Sequence, residues 1–172
     1  VEDEMTDEQH TPDRTHGEAP EAPETPEAVV GSAEPPVRLT APVLRFPGGP
    51  GSGDLSRAFR EAHDLLSRSA PREALEVLGP ALAQEPGNTG LRTLRAWAFL
   101  LRAQLARAEE ELRALVEENP GDDWVRHALG RTLERQSRYA EALPHLRLAA
   151  AMTGDPEHEY DVLRVERLAS GV

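Results

Sequence analysis

The 172 residues carry 31 acidic and 19 basic side chains, a net charge of −12, and every basic residue is arginine. Without lysine or cysteine the chain has no means to a Schiff base, a phosphate-loop lysine, a disulfide or a thiolate site. So acidic a chain repels phosphate backbones, whose affinity rests on Lys and Arg displacing counterions, and nucleic acid is set aside as a partner.

The first predicted element is an acidic, disordered, Pro/Glu/Ala-rich tail over residues 1–53 that ends in a Gly-rich linker. Residues 1–54 carry a net −9 and the remainder −3, so the acidity belongs mostly to this tail, which has too few apolar side chains to offset the entropy of ordering it. Its opening, Val-Glu-Asp-Glu-Met, lacks the positive and apolar regions of a secretory signal. A cytoplasmic location is therefore the expectation, and Met5 is an alternative start. The longest strongly apolar stretch, Ala96 to Leu101, falls far short of the roughly 20 residues that span a bilayer, so no membrane partner is expected. One segment interrupts the tail's texture: Val37 to Pro47 is apolar, roughly alternating, and followed by Gly-Gly-Pro-Gly-Ser-Gly. It reads either as a docking peptide on a hinge or as a linker with a few apolar residues.

From Asp54 onward apolar residues recur three and four apart, as in amphipathic helices, and strand signals are missing. Windows of 34 residues that start at Leu55, Thr89 and Asp123 show one pattern. Ala62, Ala96 and Gly130 coincide, then Leu65, Phe99 and Leu133. Ala74, Ala108 and Ala142 coincide, then Leu78, Leu112 and Leu146, and the turn prolines Pro86 and Pro120 are also one period apart. Small residues let paired helices approach, so Ala62 with Ala74, Ala96 with Ala108 and Gly130 with Ala142 are the expected crossings, flanked by a core of Leu65, Leu78, Phe99, Leu112, Leu133 and Leu146. Asn88 and Asp122 are placed to cap first helices, Ser69 and Ser137 stand where second helices begin, and Asp155-Pro156 opens a last helix to Leu168. On that helix Tyr160, Leu163 and Leu168 are expected to cover the third pair. Pro144 falls in a first turn, while Pro80 lies deeper and is expected to kink its helix without breaking it.

The third window, with Leu129-Gly130, Leu133, Tyr139, Ala142, Leu146 and Ala149, closely resembles the tetratricopeptide repeat, and the resemblance covers residues 55 to about 154. Glu61 and Arg95 depart from it where a leucine belongs, and Gly154 replaces the closing proline. The resemblance implies an all-α, right-handed solenoid of three helix pairs (about 55–88, 89–122 and 123–156) plus a capping helix at about 156–168, forming one domain over residues 54–172. It also implies a scaffold or adaptor that binds a peptide or helix of another protein along the first helices. The inward positions would be Phe59, His63 and Leu66, then Thr93, Trp97 and Leu100, then Trp124, His127, Arg131 and Glu134. The competing reading packs both tryptophans between neighbouring helices.

Some members of that family hold a carboxylate tail with lysines and asparagines, and this chain lacks that clamp. An apolar, aromatic groove suits a short peptide with Leu, Phe or Pro, such as the chain's own Leu44 to Pro47, which would then compete in cis with an outside partner. The alternative function is self-association or service as a regulatory subunit, with the oligomeric state left open. No nucleophile with a base and an orienting group is visible, so neither catalysis nor a cofactor is expected. His63 and His127 lack metal-site spacing, and Glu109-Glu110-Glu111 reads as a solvated helix face.

Overall fold

The computed structural model describes residues 41–42 and 53–171, and among them the regular structure consists of seven helices. They are α1 (Gly53–Ser67), α2 (Pro71–Gln84), α3 (Thr89–Leu101), α4 (Leu105–Glu118), α5 (Asp123–Arg135), α6 (Tyr139–Thr153) and α7 (Pro156–Ser170). Three helix pairs and a seventh helix make up a right-handed solenoid, in which α1, α3 and α5 pack in succession and each second helix also touches the first helix of the next pair. The expected tail and the segment 37–47 lie outside the described residues, apart from Ala41 and Pro42.

Local chemistry sets the boundaries. Asn88 accepts a hydrogen bond from the Leu91 amide at 3.1 Å, Asp122 from Val125 at 2.9 Å and Asp155 from Glu157 at 2.9 Å, so three helices start on side-chain caps. Pro71 and Pro156 stand in first turns, where a missing N–H costs least, and α2 and α6 run on through Pro80 and Pro144. Gly154, at φ 63°, closes α6 in the left-handed conformation, which accounts for its departure from the repeat pattern.

Ser69 and Ser137 are not caps. They sit with Ala103, one period apart, at φ 59°, 59° and 54°, and the following amides of Ala70, Gln104 and Arg138 reach back to the carbonyls of Leu65, Phe99 and Leu133 at 2.9 Å. Each first helix thus ends on a left-handed residue that satisfies its last carbonyls, although none of the three is glycine.

Ala62, Ala74, Ala96, Ala108 and Ala142 are fully buried, as are Leu78, Leu112, Leu133 and Leu146, whose truncation costs about 2 to 5 kcal/mol each. The core differs from expectation at two places. Leu65 and Phe99 are half-buried, and their neighbours Leu66 and Leu100 fill the interior instead. Gly130 also meets a different partner: a Cβ there would lie 2.6 Å from Leu146 Cγ, so the closest approach in the third pair is to Leu146 and not to Ala142.

Candidate functional site

The first helices carry a chain of rings. His63 on α1 meets the edge of Trp97 on α3 at 5.9 Å between centroids, and Trp97 meets the edge of Trp124 on α5 at 6.4 Å. Farther along, His127 on α5 stacks on His158 of α7 at 4.0 Å. Phe59 packs where Gly90 leaves room, since a Cβ at Gly90 would come within 3.2 Å of its ring. Thr93 turns its hydroxyl to the Thr89 carbonyl at 2.8 Å.

This arrangement corrects the expectation of an open groove. Phe59, Leu66, Thr93, Trp97, Leu100, Trp124, His127 and Arg131 are all buried, Trp97 to 4 % exposure and Trp124 to 9 %, while His63 is half-buried and the Glu134 side chain keeps only 10 % exposure. Successive first helices pack on one another, so positions that face inward within one pair are covered by the next. The third pair is covered by α7.

That cover is held by a latch of alternating charge. Asp161 of α7 lies 2.7 Å from His127 Nε2 and 3.3 Å from Arg131 on α5, and it also pairs with Arg164 of its own helix. Glu134 of α5 accepts from Arg131 at 2.7 Å and from Arg164 at 2.8 and 3.0 Å. Of the residues expected to make this cover, Tyr160 and Leu163 point outward at 68 % and 60 % exposure, and Val165 and His158 are buried in their stead. The partners on α7 were legible by extending the repeat one period: His158 follows Trp124, and Asp161 follows His127, by 34 positions.

Burial lowers the pKa of His127 below its ordinary 6.5. Charges on His158 and Arg131 add to the effect, and the hydrogen bond to Asp161 opposes it without prevailing. His145 is lowered in the same way by burial and by Arg126 and Arg113. A base whose folded pKa is depressed contributes its stability above the unfolded pKa, and that stability is lost as pH falls from about 6.5 towards the folded value. Thermal melts should therefore give a lower Tm at about pH 5.5 than at about pH 7.5, and His127→Gln should narrow the difference. If the difference stays the same, the pH dependence does not arise from this latch.

Two surface features remain. Glu109 and Glu111 do not belong to a solvated face. Glu111 receives Arg92 Nε at 2.6 Å and also Arg95, and Glu109 receives Arg113, Arg138 and Gln136 at 2.7 to 2.9 Å, leaving Glu110 exposed. Arg95, which stands at a leucine place of the repeat, thereby keeps the second pair closed through charge. The cleft beside it, between α3 and α4, is lined by these neutralised pairs and by Phe99, over which Arg107 lies at 5.8 Å.

The second feature is a cleft at one end of α5 and α7, walled by Trp124 and His158 and edged by Asp122, Asp123 and Asp155. Ala41 and Pro42 share its lining, and Pro42 is buried. Among the described residues no helix is long and apolar enough to cross a membrane.

A family profile described as tetratricopeptide repeat matches residues 65–131. The solved NMR structure of the first TPR domain of the human RPAP3 protein is similar in fold, with a TM-score of 0.63 and 16 % identity, covering 70 % of this chain and 94 % of that one. No curated protein matches the chain in sequence.

Proposed function

We propose, from the premise that this chain belongs to the tetratricopeptide repeat family, that it is an adaptor which holds a linear segment of another protein along the wall formed by α1, α3 and α5. Its general role as a protein-interaction scaffold follows from the family, and the wall is the specific part of the reading. The observation that carries it is the ring-to-ring chain from His63 through Trp97 to Trp124. These side chains are fixed by their neighbours before any ligand arrives, so binding at the half-buried His63 that leads the chain of rings costs little side-chain entropy. The half-buried His63 then offers a polar contact at one end of the ladder.

The test is direct. A partner recovered with the tagged chain should be lost from His63→Glu, whose helical circular dichroism stays unchanged because the site is only half-buried. If that chain keeps the partner at full affinity, the wall is not the binding surface.

A second reading, self-association, has one observation in its favour: Leu148 and Met152 on α6 and Tyr160 and Leu163 on α7 are exposed. In the complete pairs the place that matches Arg164 holds Ala62, Ala96 or Gly130, which admits a close second helix. Arg164 is large and committed to Glu134 and Asp161, so a tightly crossed fourth pair is disfavoured. A mass by light scattering that rises with concentration, and falls back in Leu163→Glu, would favour this reading.

A further inference from the structure

Pro42 is distant in sequence from the repeats yet buried, in one compact unit with the helices, at a cleft of about 360 Å³ whose walls include Trp124 and His158. A proline ring beside aromatic rings is the contact by which extended, proline-containing peptides are recognised, because proline has already lost much of the freedom that binding would otherwise remove. The rim adds a second criterion. Asp122, Asp123 and Asp155 stand at its edge, and among the described residues no arginine lines it.

The chain has four Ala-Pro steps; Ala70-Pro71 forms the start of α2, and the three ahead of α1 differ in their flanks. Ala19-Pro20 and Ala22-Pro23 lie among Glu18, Glu21 and Glu24, which the acidic rim repels. Ala41-Pro42 lies between Arg38 and Arg45, in a segment 37–47 that has no carboxylate at all. Among the steps ahead of α1, charge therefore selects the one that the structure places at the cleft, while Ala70-Pro71, between Arg68 and Arg72, is built into the start of α2.

We propose that this cleft recognises an Ala-Pro step flanked by arginines, and that the chain's own Ala41-Pro42 occupies it in cis, so that an outside peptide of the same chemistry binds only by displacing it. The inference rests on the adaptor reading and names a regulation of it: the end of the wall at Trp124 is closed by the chain itself until a competitor arrives. At a high effective concentration the tethered step outcompetes a free peptide of equal intrinsic affinity. Among the described residues every member of the hydrophobic core lies between Leu55 and Val165, so substitutions at position 42 leave that core intact.

The test uses the full chain and a labelled synthetic peptide of residues 37–47, followed by fluorescence anisotropy. If the cis step holds the cleft about nine-tenths of the time, Pro42→Asp should bind the peptide about tenfold more tightly than the unaltered chain. Adding Asp123→Arg to Pro42→Asp should abolish that gain, and a peptide with both arginines replaced by glutamate should bind neither chain. Equal affinity for the unaltered chain and Pro42→Asp would overturn occupancy in cis, and no binding to either would overturn recognition itself. The adaptor reading is judged separately, by partner loss in His63→Glu. A partner lost there while the peptide fails to bind Pro42→Asp leaves the adaptor standing and removes this inference.

Discussion

Gly130→Leu should lower the free energy of unfolding by about 3 kcal/mol, among the largest effects of any single substitution in this chain. The first added atom already has no place, because a Cβ at Gly130 lies 2.6 Å from Leu146 Cγ, 2.7 Å from its Cδ2 and 3.3 Å from its backbone nitrogen. A side chain could rotate away, but the backbone of α6 cannot move without opening the third pair. Loss of a helical glycine returns at most about 1 kcal/mol, which does not offset the clash. Denaturant titration checks this, and the double variant Gly130→Leu with Leu146→Ala should recover part of the loss because the two changes exchange volume across one contact. An unchanged midpoint in Gly130→Leu would show that the third pair is not closed at this point.

Asp161→Ala should cost about 3 kcal/mol and act mainly on the last helix. Asp161 is the one carboxylate that His127, Arg131 and Arg164 share, and its side chain is 15 % exposed. Without it Arg131, which is buried, is left with Glu134 and faces His127 with no anion between them. Because stability in a repeat array is roughly a sum of units and their interfaces, the damage should stay local. Hydrogen exchange should show amides of Pro156–Ser170 losing protection while α1 to α4 retain theirs. Uniform loss along the array would mean that α7 is not a separable cover. Asp161→Asn, which retains a polar contact to His127 but not the charge, should fall between the two.

The period of 34 was legible because it is written in residue size. Ala62, Ala96 and Gly130, with Ala74, Ala108 and Ala142, mark where helices must touch, and steric exclusion acts on the residue type whatever surrounds it. The caps at Asn88, Asp122 and Asp155 were equally plain, since a side-chain acceptor two or three residues ahead of an amide is a local event. The left-handed turn at Ala103 carried no such mark. It is alanine, and backbone bonds from its own amide to the Leu100 carbonyl and from Gln104 to the Phe99 carbonyl hold it there.

The position of the candidate residues along the first helices was legible, and their exposure was not. Trp97, Trp124, His127 and Arg131 fall on the predicted face, yet whether that face meets solvent depends on the next first helix, and for the third pair on α7. The seating of Pro42 beside Trp124 and His158 joins residues more than eighty positions apart, across a segment with no periodicity to give its direction.

By itself the order of amino acids determined the helix pairs, their number, their crossing residues and most of their ends, because these follow from side-chain volume, spacing and hydrogen bonds within a turn. Tertiary structure alone decided which inward side chains are covered, which arginines are neutralised, and where Pro42 rests. Burial and ion pairing depend on what a distant stretch of chain brings alongside, and no local pattern encodes that.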